Sequence, residues 1–417
     1  MLARLGSPSV DQWVLGKIHE ALGRPPIRLR TASGAEICST HTPPLGQISI
    51  SDRATLCRLI LNPELGFGEG YANGHIEMQG DLVSILEAIA LVMPEAEEQN
   101  WWVRMTVRWM NWIQANTLPG SRKNIRQHYD LGNDFYRLWL DPQLAYTCAY
   151  YPSPSASLED AQVAKMEHVC RKLQLRPGER VVEAGCGWGA LALHMARHYG
   201  VSVRAFNISH EQIAQARQWA KETGLSDRVE FIEDDYRNLA GQCDAFVSIG
   251  MLEHVGRENY EELGRVIQRA LDKSGRGLLH FIGRNHPRLL SPWIRKYIFP
   301  GAYLPTVREA LEMLEPWNFS VLDVENLRPH YARTLEHWLE RFEHSAEQIT
   351  KMLGPEFVRT WRLYLAAAIA GFRAGNLQLF QVLFARNGCQ QIPWTRAHIY
   401  DKGRETLPES TWTRATS

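Results

Sequence analysis

From about residue 159 onward, apolar positions alternate between helical and extended spacing along the chain. Helical periodicity over 159–174 gives way to a β-branched run at 180–184, then to a helix over 189–198 and a strand over 201–206. The pattern continues with a helix at 210–223, strands at 228–232 and 243–249, and a helix at 257–272. Gly275-Arg-Gly277 is then expected to turn into a strand over Leu278–Ile282. Such alternation predicts an α/β fold, a doubly wound and mostly parallel sheet. The stretch 291–305 and helical segments at 331–353 and 355–377 are expected to add a cover to that sheet. Gln378–Ala385 is expected to be the last strand, and the polar tail after Asn387 to be loosely ordered.

The first part of the chain has another character. Ile27-Arg-Leu-Arg and Ile48-Ser-Ile-Ser alternate as short strands do, and Ala54–Leu61 and Asp81–Met93 read as helices. Between them Gly66-Phe-Gly-Glu-Gly-Tyr-Ala-Asn-Gly74 reads as turn-prone. The expected organisation is a small α+β domain over 1–99, a linker helix over 100–123, a large α/β domain over 124–387 and a polar tail over 388–417. In the linker, Trp101, Trp102, Met105, Trp109, Met110, Trp112 and Ile113 recur near helical spacing, with Arg104 and Arg108 among them. That stripe suits either packing against protein or a lipid–water boundary.

Composition narrows the partners. Forty-six basic residues balance 46 acidic ones over 417 residues, so nucleic acid gains no overall attraction and no recognised nucleic-acid motif is present. The 7 cysteines are scattered without a C-x-x-C pair, which argues against a disulfide framework or zinc site and for a reducing, cytoplasmic setting. No apolar run approaches the roughly 18–20 residues that span a bilayer, and the N-terminus lacks a signal-peptide core. Contact with lipid would therefore be peripheral, from the inner face of the membrane.

Candidate chemistry starts at Val181-Val-Glu-Ala-Gly-Cys-Gly-Trp-Gly189. An extended segment ends in an acid, followed by three alternating glycines and a helix. The spacing E-x-G-x-G-x-G differs from the dinucleotide fingerprint and is the usual pattern where S-adenosylmethionine (SAM) sits in Rossmann-like methyltransferases. Glu183, Ala184, Gly185, Cys186, Gly187, Trp188 and Gly189 are thus candidate SAM contacts. Loops after successive strands converge on one crevice in such sheets. They add Asn207, Ile208, Ser209 and Gln212 toward the ribose and methionine, and Asp235 and Tyr236 toward the adenine. Tyr146 and Thr147 come from an upstream segment dense in hydroxyl and aromatic groups. Glu253-His254 is a metal-like fragment without a second histidine four residues on, so no metal is expected.

With these segments in place, the chain resembles the cyclopropane-fatty-acyl-phospholipid synthase family, relatives of the mycolic acid cyclopropane synthases. The resemblance rests on H-Y-D-L-G-N-D (128–134), Y-T-C-A-Y (146–150), E-A-G-C-G-W-G (183–189), G-M-L-E-H-V-G (250–256) and H-F-I-G (280–283). It continues through P-W-I-R-K-Y-I-F-P-G (292–301), H-Y-A-R-T-L-E-H-W (330–338) and G-F-R-A-G-N-L-Q-L-F-Q (371–381). It covers residues 124–386 strongly and the N-terminal part weakly, through Gly68-Glu-Gly-Tyr-Ala-Asn-Gly74.

The resemblance implies attack of a cis alkene in a phospholipid acyl chain on the SAM methyl. Loss of a proton from the resulting carbocation to a bound bicarbonate then closes a cyclopropane. It assigns Cys148, Glu253, His280 and Tyr331 to the anion, with the backbone of Ile282. Ala368 stands where some relatives carry a cysteine, and Thr147 and Asn207 replace a frequent serine and threonine. Alternatives left open are alkene methylation without ring closure, a small amphipathic acceptor, and a non-catalytic lipid- or SAM-binding homologue. Phospholipid acyl chains at a membrane surface are the expected partner, and a homodimer stays open. The basic, aromatic stretch Gly283–Arg308 suits either a phosphate headgroup or a structural cover.

Overall fold

The computed structural model describes residues 10–39, 43–92 and 131–400. The Trp/Arg-rich stripe at 100–114, the first three residues of the 128–134 motif and the tail beyond 400 lie outside the described residues. Two sheets organise the chain.

The smaller sheet has the order β2-β1-β3-β4, from strands β1 (Arg28–Thr31), β2 (Glu36–Cys38), β3 (Gly46–Ile50) and β4 (Ile76–Gly80). β1 and β3 are parallel and the other pairs antiparallel. Leu29, Ile48, Ile50 and Ile76 are buried against Leu15, Leu56, Leu59 and Ile85 from the surrounding helices. Asp52 caps the helix Arg53–Leu61 by accepting from the Thr55 amide at 2.8 Å.

The turn expected at 66–74 is instead the helix Pro63–Ala72. Asn62 caps it and Pro63 occupies the first turn, a start signal strong enough to overcome the glycines. Those glycines serve close packing. A Cβ on Gly66 would lie 2.8 Å from the Arg58 carbonyl oxygen, on Gly68 2.2 Å from the Trp293 ring, and on Gly70 2.7 Å from Ile76.

The larger sheet runs β7-β6-β5-β8-β9-β11-β10. Its strands are β5 (Arg180–Ala184), β6 (Ser202–Asn207), β7 (Val229–Glu233), β8 (Cys243–Ile249), β9 (Leu271–Gly283), β10 (Phe319–Asn326) and β11 (Gln378–Arg386). Strands β5 to β9 are parallel, and β11 runs antiparallel between β9 and β10. Alternate residues feed two cores. Val181, Val203, Ala245 and Leu278 face helices Leu158–Leu173, Ala190–Tyr199 and His210–Glu222. Val182, Phe206, Phe246 and Leu279 face Tyr260–Ala270 and Val307–Glu312.

Three local expectations differ. The Gly275–Gly277 turn is an excursion inside β9, whose pairing with β8 jumps from Leu271 to Arg276. Arg276 holds it there, donating to Leu173 and Gln174 carbonyls and pairing with Glu179. β10 escaped the periodicity because a bulge between Val321 and Asp323 breaks the alternation. Part of the supposedly loose tail is docked: Ile399 is buried, Arg396 pairs with Asp323, and the Tyr400 hydroxyl donates to Glu325 at 3.4 Å.

Helices Arg328–His344, Ala346–Leu353 and Pro355–Ala374 cover the large sheet and share one core with the small one. An aromatic cluster ties Phe135, Trp139 and Tyr146 to Trp338 and Trp361, with Trp139 to Trp338 centroids 5.6 Å apart in edge contact. Such pairs contribute roughly 0.5–1.5 kcal/mol each beyond burial. Between the sheets, Arg359 donates to the Tyr71 and Ile76 carbonyls at 2.6 and 3.0 Å. Lys296 and Tyr297 both bond Glu69, and Asn376 donates to the Ala90 carbonyl at 3.1 Å.

Helix propensity alone would make Gly68→Ala stabilising by about 1 kcal/mol. The Trp293 contact reverses that sign, and overpacking of this type costs about 1–3 kcal/mol. Urea unfolding should show the loss, and adding Trp293→Ala should cost less than the sum of the two single changes. A more stable Gly68→Ala protein would refute the packing role of this glycine.

Candidate functional site

The carboxyl ends of β5, β6, β8 and β9 open onto a cavity of about 460 Å³ with a mostly apolar wall. Its polar groups come from the loops that sequence singled out, together with several that it did not.

At the end of β5 the glycine turn is built from three different constraints. Gly185 has φ +82° and a Cβ there would sit 2.9 Å from Met251. Gly189 has φ +87° and would meet the Phe231 ring at 2.5 Å. Gly187, at φ +54°, has nothing within 4 Å of that position and lines the cavity, so a ligand can approach its backbone. The Gly185 and Cys186 amides both donate to the Phe206 carbonyl, which fixes the turn against β6. Trp188 donates from its indole to Asn133 Oδ1 at 2.7 Å and also lines the cavity.

Asn207 stands at the end of β6. Its amide nitrogen donates to the Gly187 carbonyl at 3.2 Å and to Gln212 Oε1 at 2.7 Å, while its oxygen accepts from the Ile208 amide at 2.8 Å. Ser209 caps the following helix. Asn207 and Gln212 line the cavity, and Ile208 and Ser209 act behind them as scaffold. Asp235 and Tyr236 are buried outside the lining. Asp235 accepts from the Arg237 amide at 3.0 Å, and the Arg237 guanidinium sits 5.3 Å from the Tyr236 ring centroid. Ala184 and Gly189 are also outside it.

Two buried carboxyls face this space. Glu183 is 2 % exposed, its Oε2 has no hydrogen-bond partner, and burial raises its pKa to about 8. Glu253 accepts from the Ile282 amide at 2.7 Å through Oε1, leaves Oε2 without a partner, and is raised by burial to about 7. The Ile282 amide is therefore already engaged by Glu253.

His280 lies buried on β9 just behind the lining. Its Nδ1 accepts from Gln381 Nε2 at 3.1 Å, so the proton of the neutral ring sits on Nε2, which has no partner. Burial lowers its pKa to about 3, keeping it neutral. Cys148 is buried and also outside the lining. Its thiol donates to the Ala149 carbonyl at 3.1 Å, and burial pushes its pKa upward. Tyr331 and Ala368 are in the cavity wall, as are Tyr146 and Thr147. The Tyr146 hydroxyl meets that of Tyr364 at 2.9 Å.

Several site groups were not anticipated. Lys165 is buried in the wall, donates to Thr147 Oγ1 at 2.8 Å, and has its pKa lowered by burial. The legible signal was polar Gln162, Lys165, His168 and Lys172 recurring at helical spacing on the buried side of Leu158–Leu173. Arg284 and Arg288 belong to the basic stretch 283–308, read from sequence as suiting either a phosphate headgroup or a cover, whereas the place of Tyr364 and the bonding role of Gln381 gave no signal. Leu86, Ile89 and Ala90 bring the N-terminal unit into the same wall.

Among the described residues, no cluster of three or more His, Cys, Asp or Glu is arranged for a metal ion, and no helix is long and apolar enough to cross a membrane.

Comparison with known proteins agrees with this architecture. Residues 117–382 match the family model for mycolic acid cyclopropane synthetase. The chain is 44 % identical over 262 residues to the Escherichia coli K12 cyclopropane-fatty-acyl-phospholipid synthase, covering 63 % of this chain and 67 % of that one. It is 34 % identical over 347 residues to a Pseudomonas putida protein described as a probable fatty acid methyltransferase, covering 80 % and 86 %. The structure superposes with a TM-score of 0.61 and 30 % identity on mycolic acid cyclopropane synthase CmaA1 complexed with SAH and CTAB, covering 64 % and 98 %. With a Rossmann-like sheet, a glycine turn and a family match across the site, this chain belongs to the mycolic acid cyclopropane synthetase family of SAM-dependent methyltransferases.

Proposed function

We propose that this protein transfers a methylene from SAM to cis double bonds of phospholipid acyl chains, giving cyclopropane fatty acids, with bicarbonate as the bound base. The observation that carries this reading is the pair of buried, unpartnered polar atoms, Glu253 Oε2 and His280 Nε2, next to an apolar cavity that reaches the glycine turn. Buried polar atoms are usually satisfied, so each of these orphans can take a hydrogen bond from or to a small polar ligand.

The donor set fits both groups. Glu183, Gly185, Gly187, Asn207 and Gln212 would hold SAM, whose sulfonium supplies an electrophilic methyl. The CmaA1 relative, complexed with SAH, supports SAM as the methyl donor. His280 Nε2 and the Tyr331 hydroxyl would donate to bicarbonate, which supplies a proton acceptor, while Ile282 acts through its grip on Glu253. Glu253, with its pKa near 7, can present either a donor or an acceptor to such an anion. Leu335, Phe372 and Leu377 line the cavity and would keep water from an acyl carbocation, which an anion held at this site would stabilise electrostatically. The enzyme would meet the inner face of the membrane peripherally.

A second reading is methylation of the alkene without ring closure. The Pseudomonas putida relative, described as a probable fatty acid methyltransferase and matched over most of both chains, favours it. Incubation with SAM and cis-unsaturated phospholipid vesicles separates the two. A gain of one CH₂ with loss of alkene signals and appearance of cyclopropane protons in NMR is expected. The same mass gain with alkene retained would assign the methyltransferase reaction instead.

His280→Ala and Glu253→Gln should each lower kcat by about 10²-fold or more, the usual weight of proton-transfer groups. SAM affinity should stay within about twofold, as measured by calorimetry. A loss of SAM affinity as large as that of Gly185→Val would remove both residues from the anion site.

Glu183 also gives a pH signature. Its folded pKa of about 8 exceeds the ordinary carboxyl value, so its neutral form favours the fold below pH 4.5. That contribution is lost as pH rises from about 4.5 through about 8. The Tm of Glu183→Gln minus that of the unsubstituted protein, without SAM, should therefore increase from pH 5 to pH 8. A pH-independent difference would contradict a buried carboxyl at this position.

A further inference from the structure

One charged feature of the cavity wall has no part in the chemistry above. Arg284 follows the end of β9, and its amide donates to the Pro305 carbonyl at 3.0 Å. Its side chain is buried and lines the cavity. NH1 donates to the Leu289 carbonyl at 3.1 Å, but Nε is buried without a partner. Among the described residues, no carboxylate lies within ion-pair distance of it. Burial, and then the neighbouring Arg288, push its guanidinium down to about 9, with Glu64 and Tyr303 opposing more weakly. It is still a cation at neutral pH.

Arg288 lines the same cavity and is exposed, so the pair runs from the surface into the wall. Around them stand Leu290, Ile294 and Leu304, which offer no counter-charge. A buried cation beside another cation, with no acid among the described residues within ion-pair distance, is unfavourable unless an anion completes the site. Guanidinium forks match the oxygens of a phosphate, and the adjoining wall suits an acyl chain.

We propose that Arg284 and Arg288 form a subsite for the phosphodiester of the lipid whose acyl chain enters the cavity. This deepens, and rests on, the phospholipid reading above. Holding the phosphate at one point sets how far along the chain the reacting carbon lies from the headgroup. The subsite therefore selects double-bond position as well as lipid class.

The test compares two acceptors with the same cis-unsaturated chain: phospholipid vesicles, and the fatty acid methyl ester in detergent micelles. Arg284→Gln should raise the ratio of phospholipid KM to ester KM by about tenfold or more, as expected for a lost charge-assisted contact. The exposed Arg288→Gln should raise it by about threefold, and Arg284→Lys should fall between Arg284→Gln and the unsubstituted enzyme. Because Arg288 is exposed, its variant reports even where a change at Arg284 disturbs folding. An unchanged ratio in both variants, or equal losses on both acceptors, overturns the subsite.

If the unsubstituted enzyme modifies the ester but never the phospholipid, the phospholipid reading falls and the subsite with it. If it modifies the phospholipid and the variants match it, only the subsite falls. Glycerol 3-phosphate supplies the last arm. Inhibition of the unsubstituted enzyme but not of Arg284→Gln, with lipid KM unchanged by the substitution, assigns a free phosphate and overturns the lipid assignment.

Discussion

An ionisable group taken out of water must find a partner, shift its proton or be held in place by the surrounding fold. Glu183, Glu253 and Lys165 are all buried around one cavity, and the two carboxyls each keep an oxygen without a partner. Local structure cannot hold such groups, because a mobile loop would let them swing into water. Here Glu183 sits within a parallel sheet buried on both faces, and the short helix Leu252–Val255 carries Glu253 to the Ile282 amide. The sheet holds the unpartnered oxygens of these buried groups where a ligand in the cavity can meet them.

The cover follows from the same constraint. A parallel sheet leaves its carboxyl-end crevice open to solvent, and an open crevice would hydrate every group in it. Helices Arg328–His344 and Pro355–Ala374 close it with Tyr331, Leu335, Tyr364 and Phe372. The second of these helices is in turn pinned from outside, by the Arg359 bonds to Tyr71 and Ile76 and, just past its end, by the Asn376 bond to Ala90. The small sheet therefore buttresses the lid of the large one.

Much of this was legible from residue pattern. The alternating helices and strands from 158 to 249 follow the apolar periodicity within a residue or two, since each element buries one clear face. The glycine turn could be read because its three glycines have positive φ, which other residues rarely adopt. Legibility failed where tertiary contact decided. Gly66, Gly68 and Gly70 read as a turn but lie in a capped helix, where the Arg58 backbone, the distant Trp293 and Ile76 take the space their side chains would fill. The bulge in β10 hid a strand, and Arg276 turned an apparent loop into part of β9. Within the site, Glu183, Glu253 and the glycines could be named from motif. The Gln381 bond that selects the His280 tautomer links residues 101 positions apart, which no local pattern encodes.

The helix Leu82–Val92 belongs to the small sheet's unit, yet Leu86, Ile89 and Ala90 form part of the cavity wall. The groups proposed to react all come from elsewhere in the chain. What fits and what reacts are thus written in separate stretches of sequence. Substitutions in that helix reshape the space offered to a substrate while leaving the electrostatics of the reacting centre intact. Selectivity can drift there at little cost to turnover, which gives evolution a dial for lipid preference that is mechanically coupled to the enzyme but chemically insulated from it.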